Sequence, residues 1–201
     1  MIRALALLAT VLVAVTAVQG SQAMFTAGAR NAGASFATAA DWLAPTATDV
    51  AAANKGTFGT LAGRLDAGDT ITFTFSEPID PASILAGWSG ASTAVVVRFT
   101  NASSNDTFTV QDSGGGTSVK LGTVTTNGNY VTGNASVAST MARSADGKSM
   151  VVTLGTVTNV RLTPVGAQNM SWALVAGPKD LAGNALAAPA TRVETDSDVD
   201  F

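Results

Sequence analysis

The feature that most constrains this chain is a series of short segments in which apolar and polar side chains alternate. The clearest of them, Thr-Ile-Thr-Phe-Thr-Phe at 70–75, places every second side chain on an apolar face. The same period of two recurs in further segments, at 95–99, 108–110, 119–124, 150–154 and 170–174. Turn residues separate the segments, among them Asn127-Gly128 and Asp146-Gly147, which favour tight hairpins. The pattern predicts an all-β fold of antiparallel strands arranged as a sandwich.

Two acidic residues follow the first of these strands, and each stands directly before a proline. The spacing of Glu77 and Asp80 is compatible with the paired carboxylates of a glycosidase. In the structural alternative, Asp80-Pro81 is a helix N-cap with proline at the first helical position, and Glu77-Pro78 ends a strand. We favour the structural interpretation, with one short helix predicted over 81–87.

The composition excludes several classes of activity. The chain of 201 residues contains no histidine, which is the usual general acid or base near neutral pH and the commonest nitrogen ligand of transition metals. It also contains no cysteine, so disulfides, thiolate catalysis and zinc–thiolate sites are absent. With a net charge of −3, it offers no basic surface for nucleic acid. We therefore predict a protein that is not an enzyme and does not bind nucleic acid.

The first 23 residues have the organisation of a secretory signal peptide. Arg3 supplies a positive charge, 4–18 is an apolar run, and small residues precede Met24. The run is shorter than the ~20 apolar residues of a membrane span. We predict a signal helix over 1–23 with cleavage between Ala23 and Met24, and hence a secreted, extracellular protein that its partners could hold at the cell surface. The alternative is an uncleaved peptide, which would be the protein's only contact with a membrane.

Residues 24–56 are rich in Ala, Thr and Gly and show no sustained period of two or 3.6. We predict an extended arm or linker. Its aromatic residues Phe25, Phe36 and Trp42 either attach the arm to the surface of the domain or insert into a neighbouring subunit by strand addition.

Part of this arm, FTAGARNAGASFATAADWLAPT at 25–46, resembles a segment of the camelysin-like group of bacterial exported proteins. In that group an F(S/T)…N.GN.F.AG pattern directly follows the cleavage site read by the signal peptidase of biofilm-matrix proteins. Ala34 stands where asparagine is usual. The resemblance implies export and processing of the same kind.

Three further motifs occur in order: GDTITFTFSEPIDPASI at 68–84, SADGKSMVVTL at 144–154 and GPKDLAGNAL at 177–186. Together they resemble bacterial Ig-like domains of the S-layer-associated type, which carry a TFSEPVDP strand end, an S.DGKTLT hairpin and a terminal V.D.AGN.L. The resemblance implies an extracellular Ig-like β-sandwich over 57–193. The extra length between Trp88 and Ala142 is predicted to form an inserted hairpin or additional strands. Residues 194–201 remain as an acidic tail.

Four aspartates are candidate calcium ligands, the only cofactor that the sequence indicates. Asp180 lies in KDLAGN, where the alternative is a turn whose carboxylate accepts hydrogen bonds from backbone amides. Asp196, Asp198 and Asp200 alternate in ETDSDVDF, but the glycine and distal glutamate of an EF-hand loop are missing. For this segment the alternative, which we favour, is a solvated acidic tail.

Two tryptophans are candidate ligand-binding residues, since Trp42 and Trp88 would stack on sugar rings if they were exposed. Trp172 alternates with apolar neighbours and is predicted to lie in the core. The sequence therefore predicts a structural or adhesive module of the cell surface or extracellular matrix, with surface proteins, matrix proteins or polysaccharide as partners. The alternatives are a carbohydrate-binding module and a self-associating fibre subunit.

Overall fold

The structure is a computed structural model that describes residues 41–55, 61–187 and 191–201. The chain divides into two compact units, 1–41 and 42–201. All the elements described below belong to the second unit. The predicted signal peptide, its cleavage pair Ala23–Met24 and the arm as far as residue 40 lie outside the described residues.

Within the described residues, the second unit contains nine strands and one helix of four residues. Their bounds are β1 Ala47–Ala53, β2 Thr70–Phe75, α1 Pro81–Ile84, β3 Thr93–Thr100, β4 Thr107–Asp112, β5 Ser118–Thr125, β6 Ala135–Arg143, β7 Ser149–Thr153, β8 Ser171–Ala173 and β9 Thr191–Val193. No helix in the described part of the chain is long and apolar enough to cross a membrane.

The nine strands form one sheet in the order β1-β2-β7-β6-β3-β4-β5-β8-β9, and every pairing is antiparallel. The two edge strands are joined by side chains. Arg192 on β9 donates from Nε and Nη2 to the carbonyl of Ala47 on β1, at 3.0 and 2.8 Å. Thr195 donates its amide and its hydroxyl to the Asp49 carboxylate. The sheet is therefore nearly closed and barrel-like. We call this junction of β1 and β9 the seam.

The core is filled by the apolar faces that the alternation predicts. Trp172 on β8 is buried against Phe73 and Phe75 of β2, with ring centroids 5.1 and 5.4 Å apart in edge-to-face geometry. The predictions of an all-β antiparallel fold and of a core position for Trp172 are confirmed. The segment 88–142, predicted as an insertion, contributes β3, β4, β5 and most of β6, which include the middle of the sheet.

Two predicted boundaries are wrong. β1 lies inside the segment 24–56 assigned to an arm, yet it pairs with β2 and buries Val50. Its sequence, ATDVAAA, gives little contrast between apolar and polar positions, so alternation did not reveal the strand. Residues 194–201, which we call the closing segment, are not a solvated tail, because Glu194, Asp200 and Phe201 are buried.

The three motifs that carry the Ig-like resemblance contact one another. The amide of Ile79 donates to the Gly147 carbonyl at 3.0 Å, and the amide of Asp80 donates to the Lys179 carbonyl at 2.8 Å. Asp80 also caps α1, because its Oδ1 accepts from the amide of Ala82 at 3.1 Å. The predicted N-cap is confirmed. We call residues 76–81, 145–149 and 179–184 the motif corner.

The glycine of the Asp146-Gly147 turn supplies a test of the motif corner. Gly147 has φ +76°, and a Cβ there would lie 3.1 Å from both Pro78 Cβ and Arg143 Nη1. We expect Gly147→Ala to lower the free energy of unfolding by about 1–2 kcal/mol, because it adds backbone strain to a close contact. Gly116 is the matched control, since a Cβ at that position would have nothing within 4 Å. Urea titration should show Gly116→Ala within about 0.5 kcal/mol of wild type. Equal effects at the two positions would contradict the prediction.

Candidate functional site

Three carboxylates of the closing segment converge on one point. Glu194, Asp198 and Asp200 each place a carboxylate oxygen within 4.8 Å of those of the other two. Glu194 and Asp200 are buried, whereas Asp198 is exposed to solvent. The site therefore combines two buried carboxylates with one that solvent reaches. We call these three residues the carboxylate cluster.

Backbone hydrogen bonds hold the closing segment in place. Glu194 and Met170 are joined twice: the amide of Glu194 donates to the Met170 carbonyl at 2.9 Å, and the amide of Met170 donates to Glu194 Oε2 at 2.8 Å. Farther along, the amide of Gln168 donates to the Asp198 carbonyl at 2.8 Å. At residue 201, the Phe201 carbonyl accepts from the amide of Gly63 at 2.6 Å. The positions of the carboxylates thus depend on contacts made by the backbone, not by the acids alone.

Tyr130 lies beside the carboxylate cluster. Its ring packs edge-to-face on Phe201 with centroids 5.1 Å apart, and only 1% of the residue is exposed. Its hydroxyl is buried and has no hydrogen-bond partner in the described part of the chain. Burial, with the charges of Asp200, Glu194 and Asp198, raises the pKa of Tyr130. The hydroxyl therefore lies near enough to the three acids for their charges to act on it.

Asp106 fixes the backbone that carries Tyr130. Its Oδ2 accepts from the amides of Tyr130 and Val131 at 2.6 and 2.7 Å, and its Oδ1 accepts from the amide of Ala102 at 3.1 Å. The residue is fully buried. Its carboxylate thus accepts the hydrogen bonds that the carbonyls of a neighbouring strand would accept within a sheet. Buried amides outside strands need a partner of this kind.

The surroundings of the carboxylate cluster favour the protonated form of its buried acids. Burial raises the pKa of Asp200 to about 8, and the charges of Glu194 and Asp198 add to that rise. Burial also raises the pKa of Glu194 to about 7, although the hydrogen bond from the Met170 amide opposes the shift. In the described part of the chain, neither Asp200 oxygen has a hydrogen-bond partner. An ionised cluster therefore requires a compensating positive charge.

These shifts predict that the protein without bound cations is less stable at alkaline pH. Both folded-state pKa values lie above the ordinary values of 4.5 for Glu194 and 3.8 for Asp200. The stabilisation is complete below the ordinary values and is lost as pH rises through about 7 and about 8. In EDTA we expect the free energy of unfolding to fall by several kcal/mol between about pH 5 and pH 9, with Asp200 contributing the larger part.

Asp200→Asn removes one titrating group and should flatten this pH profile. Asp196→Asn, at an exposed position of the same segment, should leave the profile unchanged. Urea titrations at several pH values measure the slopes. A wild-type profile that rises across this interval would contradict the sign of the prediction.

The structure brings together only some of the predicted calcium ligands. Asp198 and Asp200 lie in the cluster, whereas a bend at Thr195 and Asp196 breaks the alternation and leaves Asp196 exposed and outside it. Glu194 was missed, although it begins the same every-second-residue series of acids. Tyr130 was also missed, and no local sequence pattern marks it.

Asp180 lies at the motif corner and forms the turn that was its structural alternative. Its Oδ1 accepts from the amide of Asn184 at 2.8 Å, and its Oδ2 accepts from Asn184 Nδ2 at 2.7 Å. The pKa of Asp180 is lowered, since these hydrogen bonds outweigh burial, which acts in the opposite direction. The aspartate is thus satisfied by its own turn.

The two candidate tryptophans differ in exposure. Trp88 is 7% exposed, and its indole Nε1 donates to the Ala91 carbonyl at 2.6 Å. The predicted stacking platform at Trp88 is therefore wrong, because the ring is part of the buried core. Trp42 is 85% exposed and remains available for stacking.

Comparisons of the chain with protein-family models, with curated proteins and with solved structures find no match. The similarity to bacterial Ig-like domains and to the camelysin-like group thus remains a prediction from the motifs quoted above.

Proposed function

We propose that this protein is a non-catalytic module exported from a bacterial cell, with a structural or adhesive role at the cell surface or in the extracellular matrix. One observation carries the proposal: the buried aspartates outside the carboxylate cluster hold backbone. Asp69 accepts from the amides of Lys55 and Asp66, Asp106 accepts from three amides, and Asp180 closes a turn. Such carboxylates stabilise a scaffold, and the sequence supplies no histidine or cysteine for catalysis.

The finer part of the proposal is membership of the Ig-like domains of the S-layer-associated type. The motif corner supports it, because direct backbone hydrogen bonds join Ile79 to Gly147 and Asp80 to Lys179, which are 68 and 99 positions apart in the sequence. Residues that depend on one another in this way are expected to occur together in a family. The proposed partners are surface proteins, matrix proteins or polysaccharide.

Export is tested with the full chain expressed in a bacterium that has a general secretion pathway. We expect the protein in the extracellular or surface fraction, with an N-terminus at Met24. A chain lacking residues 1–23 is the control and should remain inside the cell. Wild-type protein that stays in the cytoplasm would overturn the proposed localisation.

The non-catalytic role is tested on the exported protein with intact cells, matrix material and a broad panel of hydrolase substrates. We expect retention on cells or matrix and no turnover. Turnover that Glu77→Gln abolishes would overturn the proposal and restore the carboxylate-pair interpretation. Absence of binding to any surface fraction would equally count against an adhesive role.

Carbohydrate binding is the second candidate function, and the exposure of Trp42 favours it. A flat, exposed indole ring offers a stacking surface to a sugar. On a glycan array, Trp42→Ala should lose binding, whereas Leu43→Ala, at the neighbouring exposed position, should retain it. Silence of the wild-type array, with unchanged tryptophan fluorescence on adding polysaccharide, would exclude this function.

Self-association by strand addition is the third hypothesis, and the seam argues against a simple form of it. Since Arg192 and Thr195 tie β9 to β1, an added strand would have to displace these contacts. Deletion of residues 24–41 tests the hypothesis by sedimentation. If the deletion variant has the same oligomeric state as the wild type in sedimentation, the self-association hypothesis is wrong.

A further inference from the structure

We infer that the carboxylate cluster binds a divalent cation of the calcium type, which fixes the closing segment to the sheet. The inference concerns a binding site and does not depend on the adhesive role proposed above. It rests on the spacing of the oxygens, on unpartnered buried groups beside them and on the chemistry of the donors.

The spacing of the oxygens suits calcium. Oxygen ligands lie about 2.3–2.6 Å from Ca²⁺, so two ligands of one ion are at most about 5 Å apart. The oxygens of Glu194, Asp198 and Asp200 lie within 4.8 Å of one another. All three come from a span of seven residues, and their backbone is already fixed by Met170 and Gln168. Little rearrangement is needed for one ion to contact all three.

The second observation is independent of the acids. Tyr130, on a different part of the chain, packs on Phe201 directly beside Asp200, and its buried hydroxyl has no hydrogen-bond partner among the described residues. Unpaired buried polar groups are rare in folded proteins and indicate a missing partner. Both oxygens of Asp200 are in the same condition. A bound cation would supply the partner of the carboxylate, and its hydration shell would supply that of the hydroxyl.

The donor set selects the class of ion. Carboxylate and hydroxyl oxygens are hard ligands that favour Ca²⁺ or Mg²⁺ over zinc or copper. In the described part of the chain, the charges acting on Asp200 are those of Glu194 and Asp198, and both are negative. Asp198 is exposed to solvent, so water can complete the flexible shell of about six to eight oxygen ligands that Ca²⁺ takes, whereas Mg²⁺ demands a regular octahedron.

The position of the site gives the ion a structural effect. Glu194 directly follows β9, and Thr195 binds Asp49 across the seam. An ion held by Glu194, Asp198 and Asp200 would therefore tie together both ends of the segment that closes the sheet. Removal of the ion would loosen the seam before the rest of the sheet.

The experiment is thermal unfolding of the full chain in EDTA, in CaCl₂, in MgCl₂ and in NaCl of matched ionic strength. We expect Tm to rise by about 5 °C in about 5 mM CaCl₂ and by less in MgCl₂. Calorimetric titration with CaCl₂ should show one ion per chain, with a Kd in the range of about 10⁻⁵–10⁻³ M. No Tm shift in CaCl₂ relative to the matched NaCl would overturn the inference.

Three variants locate the site. Asp198→Asn and Asp200→Asn should lose at least tenfold in calcium affinity, and Asp198 is exposed, so that variant is expected to fold. Asp196→Asn removes the same charge from an exposed position outside the cluster and should bind calcium as wild type does. Retained binding in Asp198→Asn, or equal loss in Asp196→Asn, would overturn the assignment and indicate nonspecific screening of an acidic segment.

Discussion

Replacement of Asp106 by alanine is expected to lower the free energy of unfolding by about 4 kcal/mol. The change removes the acceptor of three backbone amides, those of Ala102, Tyr130 and Val131. A buried donor left without a partner is destabilising by about 1–3 kcal/mol, and a small cavity adds to the loss. The side chain is fully buried, so water does not readily replace it. The effect thus exceeds that of any exposed substitution in the chain.

Asp106→Asn is the matched variant, because it keeps the shape and one carbonyl oxygen. That oxygen can accept from Tyr130 and Val131, but the new amide group then faces the Ala102 amide. We expect a loss of about 2 kcal/mol, measured by urea titration of tryptophan fluorescence. If alanine and asparagine destabilise equally, or alanine by less than about 1 kcal/mol, the three amides do not depend on the carboxylate.

Replacement of Trp172 by alanine is expected to destabilise the domain by a similar amount, about 4 kcal/mol. The ring contacts Phe73 and Phe75 at edge-to-face geometry, and its indole nitrogen donates to the Leu121 carbonyl. Trp172→Phe keeps part of the ring contact and loses the hydrogen bond, so it should lose about 2 kcal/mol. Near-ultraviolet circular dichroism should also lose the contribution of Trp172 in the alanine variant, while buried Trp88 and Tyr130 still give a signal.

Trp42→Ala is the control for the core tryptophan, since it removes the same side chain from an 85% exposed position. Its effect on unfolding should stay within about 0.5 kcal/mol. Comparable destabilisation at positions 42 and 172 would mean that Trp172 does not organise the core. The same pair of variants separates a loss of stability from the loss of glycan binding proposed for Trp42.

The strands that the sequence predicted are those with strong contrast between their two faces. β2, with its threonines and large apolar residues, and β7 are of this kind, and each lies between two neighbours in the sheet. β1 is mostly alanine, and β9 is three residues with exposed side chains, so neither carries a period of two. Both strands lie at the edges of the sheet. There the difference in burial between the two faces of a strand is smallest, so the alternation of apolar and polar residues is least informative.

The arrangement of the strands was not predictable from local patterns. The contact between Ala47 and Arg192 joins residues 145 positions apart. Alternation shows which side chains of a strand face the core, but it does not show which other strand pairs with it. A nearly closed sheet and a sandwich differ only in which strands pair. Local turn chemistry succeeded where contacts were short in sequence, as at Asp80 and at Asp180.

In the candidate site too, long-range contacts were not predictable from the local sequence. Charge alone predicted solvation for residues 194–201, since isolated acids are rarely buried. Phe201, packed on Tyr130, brings Asp200 into the interior with it, and this long-range contact outweighs the preference of the carboxylate for water. Trp88 was also predicted to be exposed, but its ring joins the core and its indole nitrogen donates to the Ala91 carbonyl, so the polar atom is satisfied without water.

The seam has a consequence for the order of events during biosynthesis. Strand β1 leaves the ribosome well before its partner across the seam, because Arg192 is made 145 residues after Ala47, and the core residue Phe201 follows later still. Contacts of such long sequence separation form slowly, because their chain entropy must be lost before they stabilise anything. A nascent chain therefore stays incompletely folded until synthesis reaches residue 201, the core residue that packs on Tyr130.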